Sequence, residues 1–173
     1  QKRVSNRLNE EIRRLIEEEA RRESAKGKGI KSLVALSNNF RENIGKLSLP
    51  VNQGVITGNY GESFHPILKE VKIKNNGIDI TVAKNTDVLA VFNGEVRKII
   101  RIPGSNLAVI IRHGNFLSVY SNLSVVNVNI GQDLLTNQKI GEINLQKGEE
   151  TAILQFEIWN ETKTEELQKW IID

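Results

Sequence analysis

Near residue 47 the chain changes its periodicity, and that change limits the folds open to it. Upstream, Val4, Leu8, Ile12, Leu15 and Ile16 recur at helical spacings among Arg and Glu, which places an apolar stripe on an otherwise polar helix. Gly27 and Gly29 offer an exit from that helix. A stripe so narrow does not hold a helix in water alone, so it is expected to pack on another helix or on the domain that follows. Lys31 to Asn43 predicts a second, shorter helix with Leu33, Leu36 and Phe40 on one side. From Leu47 onward the runs are short and β-prone: 55–57, 78–80, 88–92, 96–100, 107–111, 116–120, 125–128 and 153–158. Gly131 and Gly141 bracket a further set of turns and strands. Asn93-Gly94 predicts a hairpin, Pro103-Gly104 a turn, and Lys163 to Ile171 a short terminal helix with Leu167, Trp170 and Ile171 turned inward. The expected architecture is mainly β: a helical or coiled-coil-end segment at 1–46, then an antiparallel β domain at 47–173.

Composition narrows the function classes. With 173 residues and 39% hydrophobic content the chain can bury one ordinary core. It has no run near the roughly 20 apolar residues that cross a bilayer. Zero cysteine excludes disulfides and thiolate zinc sites. The net charge is +3, and the basic residues of the first 31 positions are offset by Glu10, Glu11 and Glu17 to Glu19. No aromatic residue is interleaved with them, so nucleic acid is not an expected partner. The absence of Met even at position 1 sets the expectation of a mature product or an excised fragment.

Three segments carry the chemistry: Asn75-Asn76-Gly77-Ile78-Asp79, Tyr120-Ser121-Asn122-Leu123 and Ile153-Leu154-Gln155-Phe156-Glu157. Alternation along the last puts Gln155 and Glu157 on one strand face, lining a groove or lying on an exposed surface. Together the segments resemble the LytM/lysostaphin-type zinc endopeptidases, whose motifs read roughly His-x-Gly-x-Asp, Tyr-x-His-Leu and His-x-His-Phe-Glu. Leu49-Pro50-Val51, Tyr60-Gly61, His65-Pro66, Val88, Ala90, Gly94, Val96, Ile111-Arg112-His113-Gly114, Gly131-Gln132 and Ile140-Gly141 continue the likeness in order, from about Leu47 to Ile158. Upstream, Leu36-Ser37, Phe40, Asn43 and Gly45-Lys46-Leu47 resemble the approach to the domain in EnvC-type murein hydrolase activators. The stretch from Asn160 to Trp170 departs from the family's Asn-Pro ending.

The resemblance implies a site that has lost its metal. The two ligand positions hold Asn75 and Gln155, leaving Asp79 as a potential ligand, and the catalytic-histidine positions hold Asn122 and Ile153. Catalytic zinc needs three protein ligands and an open position for water; two neutral amides do not replace imidazoles. Neither His65 nor His113 falls on a ligand position, so both are expected to be structural or superficial. The resemblance therefore implies a noncatalytic protein without a cofactor, which activates peptidoglycan amidases in cell separation. The expected groove is Tyr60, Asn75, Asp79, Tyr120, Asn122, Gln155 and Glu157, with Arg97 and Arg112 as a charged rim. Its expected partners are a peptidoglycan amidase, peptidoglycan itself, and a division or membrane complex reached through the N-terminal helix. Its expected location is extracytoplasmic, in the periplasm. The rival readings are a noncatalytic peptidoglycan-binding envelope protein and a residual zinc endopeptidase.

Overall fold

The computed structural model describes residues 9–18, 39–64, 67–70, 72–101, 106–160 and 163–171. The continuous apolar runs at 107–111 and 116–120 become strands buried on both faces, because layers cover both sides of the sheet they join. These are β7 (Leu107–His113) and β8 (Phe116–Leu123). With β1 (Val55–Gly58), β4 (Ile78–Val82), β6 (Gly94–Arg101), β10 (Asp133–Leu134), β12 (Ala152–Asn160) and β13 (Lys163–Thr164) they form one sheet. Its order is β1-β4-β12-β8-β7-β6-β10, with β13 paired to β12. Every pairing in it is antiparallel. A smaller sheet runs β5 (Thr86–Leu89), β11 (Lys139–Ile143), β9 (Val125–Val126), and a hairpin joins β2 (Gly61–Phe64) to β3 (Lys72–Asn75).

Alternation divides the large sheet into two faces. Ile78, Ile80, Leu154, Phe156, Ile158, Tyr120, Val109 and Ile111 point inward and pack with Val88, Ile140 and Ile143 of the small sheet in the main core. The other face carries Ile100, Ala108, Ile110, Leu117, Val119 and Trp159. A helix spanning 9–18, α1, lies on it with Ile12 and Leu15 buried and Ile16 at the margin. Spaced three apart, Ile12 and Leu15 share one face of the helix. Their burial contributes about 1.5–3 kcal/mol apiece. The Lys98 ammonium and the Glu11 carboxylate, 3.0 Å apart, pin its edge. Val4 and Leu8 fall outside the described residues, as does 31–38 of the second expected helix, of which one helical turn at 39–41 is seen. Among the described residues no helix is long and apolar enough to cross a membrane.

Phe40 lies before the boundary drawn at 46/47 and yet packs in the main core, stacked on the His113 ring at a centroid distance of 4.6 Å. Leu47 bridges Ile171 in parallel, and its N–H donates to the Trp170 carbonyl at 3.0 Å. The expected terminal helix is instead β13 followed by a 3-10 turn, Leu167–Lys169. Pairing Lys163 and Thr164 with Asn160 and Trp159 extends the sheet, while Leu167, Trp170 and Ile171 are still buried.

The Asn93-Gly94 hairpin is also corrected. The strand before it pairs with β11 in the small sheet and the strand after it with β7 and β10 in the large one. The turn crosses between layers. The Asn93 carbonyl sits 2.7 Å from His113 Nδ1, and its side-chain oxygen accepts from Thr136 N and Oγ1 at 2.8 and 2.9 Å.

Candidate functional site

Three adjacent strands bring the central residues into one row. Gln155 on β12 stands directly opposite Asp79 on β4 and Ser121 on β8. Opposite residues in antiparallel strands project to the same face, about 4.5–5.5 Å apart. Glu157, two residues beyond Gln155, shares that face with its own cross-strand partner Val119. Asn75, at the end of β3, closes the group from above. Its Oδ1 accepts from Gly77 N at 3.1 Å and from Gln155 Nε2 at 3.3 Å, and its amide also hydrogen-bonds Asp79. The result is a chain of amide, amide and carboxylate.

Two glycines permit this closeness. A side chain at Gly77 would strike the Phe156 carbonyl and the Glu157 side chain, and one at Gly58 would strike the Asp79 carboxylate. The β1 strand bulges between Ile56 and Gly58 to make that approach.

Burial sets the electrostatics. Asp79 is half-buried, and desolvation raises its pKa against the opposing hydrogen bond from Asn75. Glu157 is only 2% exposed, so the exposed-surface reading of this residue fails. Desolvation pushes its pKa up to about 7, a bond from Trp159 Nε1 at 2.9 Å opposes the rise, and the Asp79 charge adds to it. No Lys, Arg or His pairs with either carboxylate among the described residues.

Asn122 stands apart at the end of β8. Its backbone is left-handed at φ 79°, a conformation Asn tolerates better than most residues. Its Nδ2 donates to the Ile153 carbonyl at 2.7 Å and its Oδ1 accepts from Asn106 Nδ2 at 3.0 Å. Thus Asn122 ties two strand ends, and Ile153 presents an exposed apolar side chain. Neither offers a titratable base.

Tyr120 does not belong to the groove. It stands opposite Phe156 and projects to the core face, where it is fully buried. Its hydroxyl accepts from Val91 N at 3.1 Å and lies 3.0 Å from Ser118 Oγ, within a network that reaches His113 Nε2 at 2.7 Å. Tyr60 is half-buried, its hydroxyl 2.8 Å from Thr164 Oγ1. Nor are the two arginines a rim of the Asp79–Gln155 row. They sit on β7 and β6, with β12 and β8 between them and β4. Arg97 pairs with Glu95 at 2.6 Å, and Arg112 donates to the Gly114 carbonyl at 2.8 Å. His113 is a core residue, and His65 lies outside the described residues. Sequence reasoning passed over Ser121, which only the strand register places beside Gln155.

The residues present do not fit zinc. Asn75 Oδ1 is committed to two donors and Gln155 Nε2 to Asn75, so the amides satisfy one another. Among the described residues no three His, Cys, Asp or Glu side chains stand together as a metal set.

This geometry belongs to a known class. Peptidase family M23 matches residues 73–167, more than half of the chain, and the chain belongs to that family. Its fold is the LytM/lysostaphin type, mainly antiparallel β. Helicobacter pylori Csd3 is similar over 73% of this chain and 35% of its own, at 22% identity and a TM-score of 0.61. One chain of the SpoIIIAH and SpoIIQ complex is similar over 71% of this chain and 98% of its own, at 22% identity and a TM-score of 0.59. Lysostaphin is similar over 65% and 49%, at 18% identity and a TM-score of 0.52. The chain thus spans about a third of the length of Csd3. No curated protein sequence matches it.

Proposed function

We propose that this M23 domain is a noncatalytic activator of peptidoglycan amidases, acting outside the cytoplasm in cell-wall remodelling. The observation that carries the reading is the substitution of mutually bonded amides for metal ligands. Gln155 donates to Asn75, and Asn75 binds Asp79. Asn122, at the position the resemblance assigns to a catalytic histidine, bonds a backbone carbonyl instead. Such a site can recognise a partner through hydrogen bonds, yet its amides supply neither the metal-polarised water nor the imidazole base of a zinc peptidase. A structure named as the SpoIIIAH and SpoIIQ complex has the same fold, which supports a role for such domains in protein assemblies.

Helix α1 supplies a means of regulation. It covers Val119 and Trp159, the cross-strand partner and the i+2 neighbour of Glu157, on the face that carries the site. In this reading α1 restricts access until a division or membrane complex draws it away. A variant lacking 1–18 should bind the amidase more tightly, and unchanged affinity would count against occlusion.

The decisive experiment is reconstitution of the chain with cell-wall amidases and purified peptidoglycan. Stimulation without intrinsic cleavage, weakened by Gln155→Ala and Asn122→Ala, is the expected result. Muropeptide binding without stimulation would replace the activator by a structural envelope protein. Chelator-sensitive cleavage by the chain alone would restore the peptidase.

A further inference from the structure

The site described above is rich in acceptors and carboxylates and has no cation among the described residues. Asp79 lies at the β4 end of the row, half-buried and hydrogen-bonded by the Asn75 amide. Gln155 follows, one strand further in. Its amide nitrogen is committed to Asn75, so its oxygen is the atom left to accept. Ser121 stands next in register, and its hydroxyl is an independent sign of a missing partner. The residue is only 6% exposed and its Oγ has no hydrogen-bond partner among the described residues. A buried hydroxyl left unpaired is destabilising, and a bound group could recover that cost. Beside the row lies the buried Glu157 carboxyl.

We infer that the Asp79–Gln155–Ser121 row receives the guanidinium of an arginine presented by a partner protein. This rests on the reading of the domain as a protein-binding module. Charge complementarity selects a cation, since two carboxyl groups face the site and no basic side chain among the described residues pairs with them. Geometry selects the planar cation. Neighbouring strands are about 4.8 Å apart, so the acceptors form a line with one strand spacing between them. A guanidinium spreads five donors around a plane and bridges adjacent acceptors, whereas an ammonium concentrates its charge at one atom. The aliphatic stem of the arginine would run out past Ile153 and Val55, which are exposed on the same face.

The test uses nuclear magnetic resonance on the whole chain, with N-acetyl-arginine methylamide as the probe. The reporters are the side-chain amides of Asn75 and Gln155 and the indole N–H of Trp159, which is bonded to Glu157. Saturable shifts at millimolar probe are expected. Asp79→Asn should weaken binding about tenfold or more. Ser121→Ala, which removes no charge, should weaken it severalfold with the rest of the spectrum unchanged. N-acetyl-lysine methylamide should bind more weakly and N-acetyl-glutamate methylamide should not bind.

Equal or tighter binding of the lysine probe would overturn the inference and point to an amine-bearing wall peptide. Displacement of the probe by stoichiometric zinc would overturn it in favour of a metal site. Shifts that survive Asp79→Asn, or their absence with every probe, would also overturn it. Amidase stimulation, measured in parallel, separates this inference from the reading beneath it. Full stimulation by Asp79→Asn removes the arginine and keeps the activator. A wild-type chain that binds the probe and stimulates no amidase keeps the arginine and removes the activator.

Discussion

Gly77 shows how little room the site leaves at the scale of one residue. A methyl group there would overlap the Phe156 carbonyl, which cannot move without disturbing three paired strands. Gly77→Ala should cost about 2 kcal/mol or more by urea denaturation, and a change within 0.5 kcal/mol would mean the turn adapts freely. The same tight register would let a metal set be built at this position. Gln155 faces Asp79 directly, and its amide reaches Asn75. The double variant Asn75→His, Gln155→His should retain about one zinc per chain after dialysis, where the parent retains none. A variant that binds no more zinc than the parent would show that the amides have reshaped the site. Hydrolysis should stay absent in that variant, because Asn122 and Ile153 provide no proton acceptor. That Asn75, Asp79 and Gln155 come together was legible in the motif order. The inward direction of Tyr120 was not, because it depends on its pairing with Phe156, and pairing is not written in either segment alone. Ser121 escaped notice for the same reason.

At the scale of elements, β strands could be read from short apolar runs bounded by turn residues, whereas their partners could not. Asn93-Gly94 has the local chemistry of a hairpin, yet Val88 and Val96 are drawn into different sheets by the core they share. Tertiary burial overrode a local turn preference. Helix α1 illustrates the converse. Its narrow stripe announced that it must pack on something, and the covered side of β7 and β8 is what it found. Because that contact rests on Ile12 and Leu15, the variant Ile12→Ala, Leu15→Ala should release the helix and leave the sandwich folded. Hydrogen exchange would then lose protection across 9–18 and keep it in β7, β8 and β12. Global unfolding in the same variant would instead make α1 an integral part of the domain.

Over the whole molecule, two buried titratable groups act on stability in opposite directions. Desolvation holds His113 down to about 4, against the bond that its Nδ1–H donates to the Asn93 carbonyl, while its unfolded value is near 6.5. Its contribution is fully present above 6.5 and is lost as pH falls towards 4. Glu157 is raised from 4.5 to about 7, so its contribution is present below 4.5 and is lost as pH rises through 7. Between these limits the two slopes nearly cancel. Glu157→Gln keeps the acceptor for Trp159 and removes one of the slopes. Its stability should therefore climb relative to the parent by about 2 kcal/mol between pH 4.5 and 6.5. Parallel profiles for parent and variant in urea titrations would show that Glu157 titrates normally.

The bridge between Leu47 and Ile171 reaches further than the contact itself. It sets side by side two residues that lie far apart along the chain. A short linker could close the domain into a ring there, and new ends could be opened at the exposed Gly131 turn without moving the site.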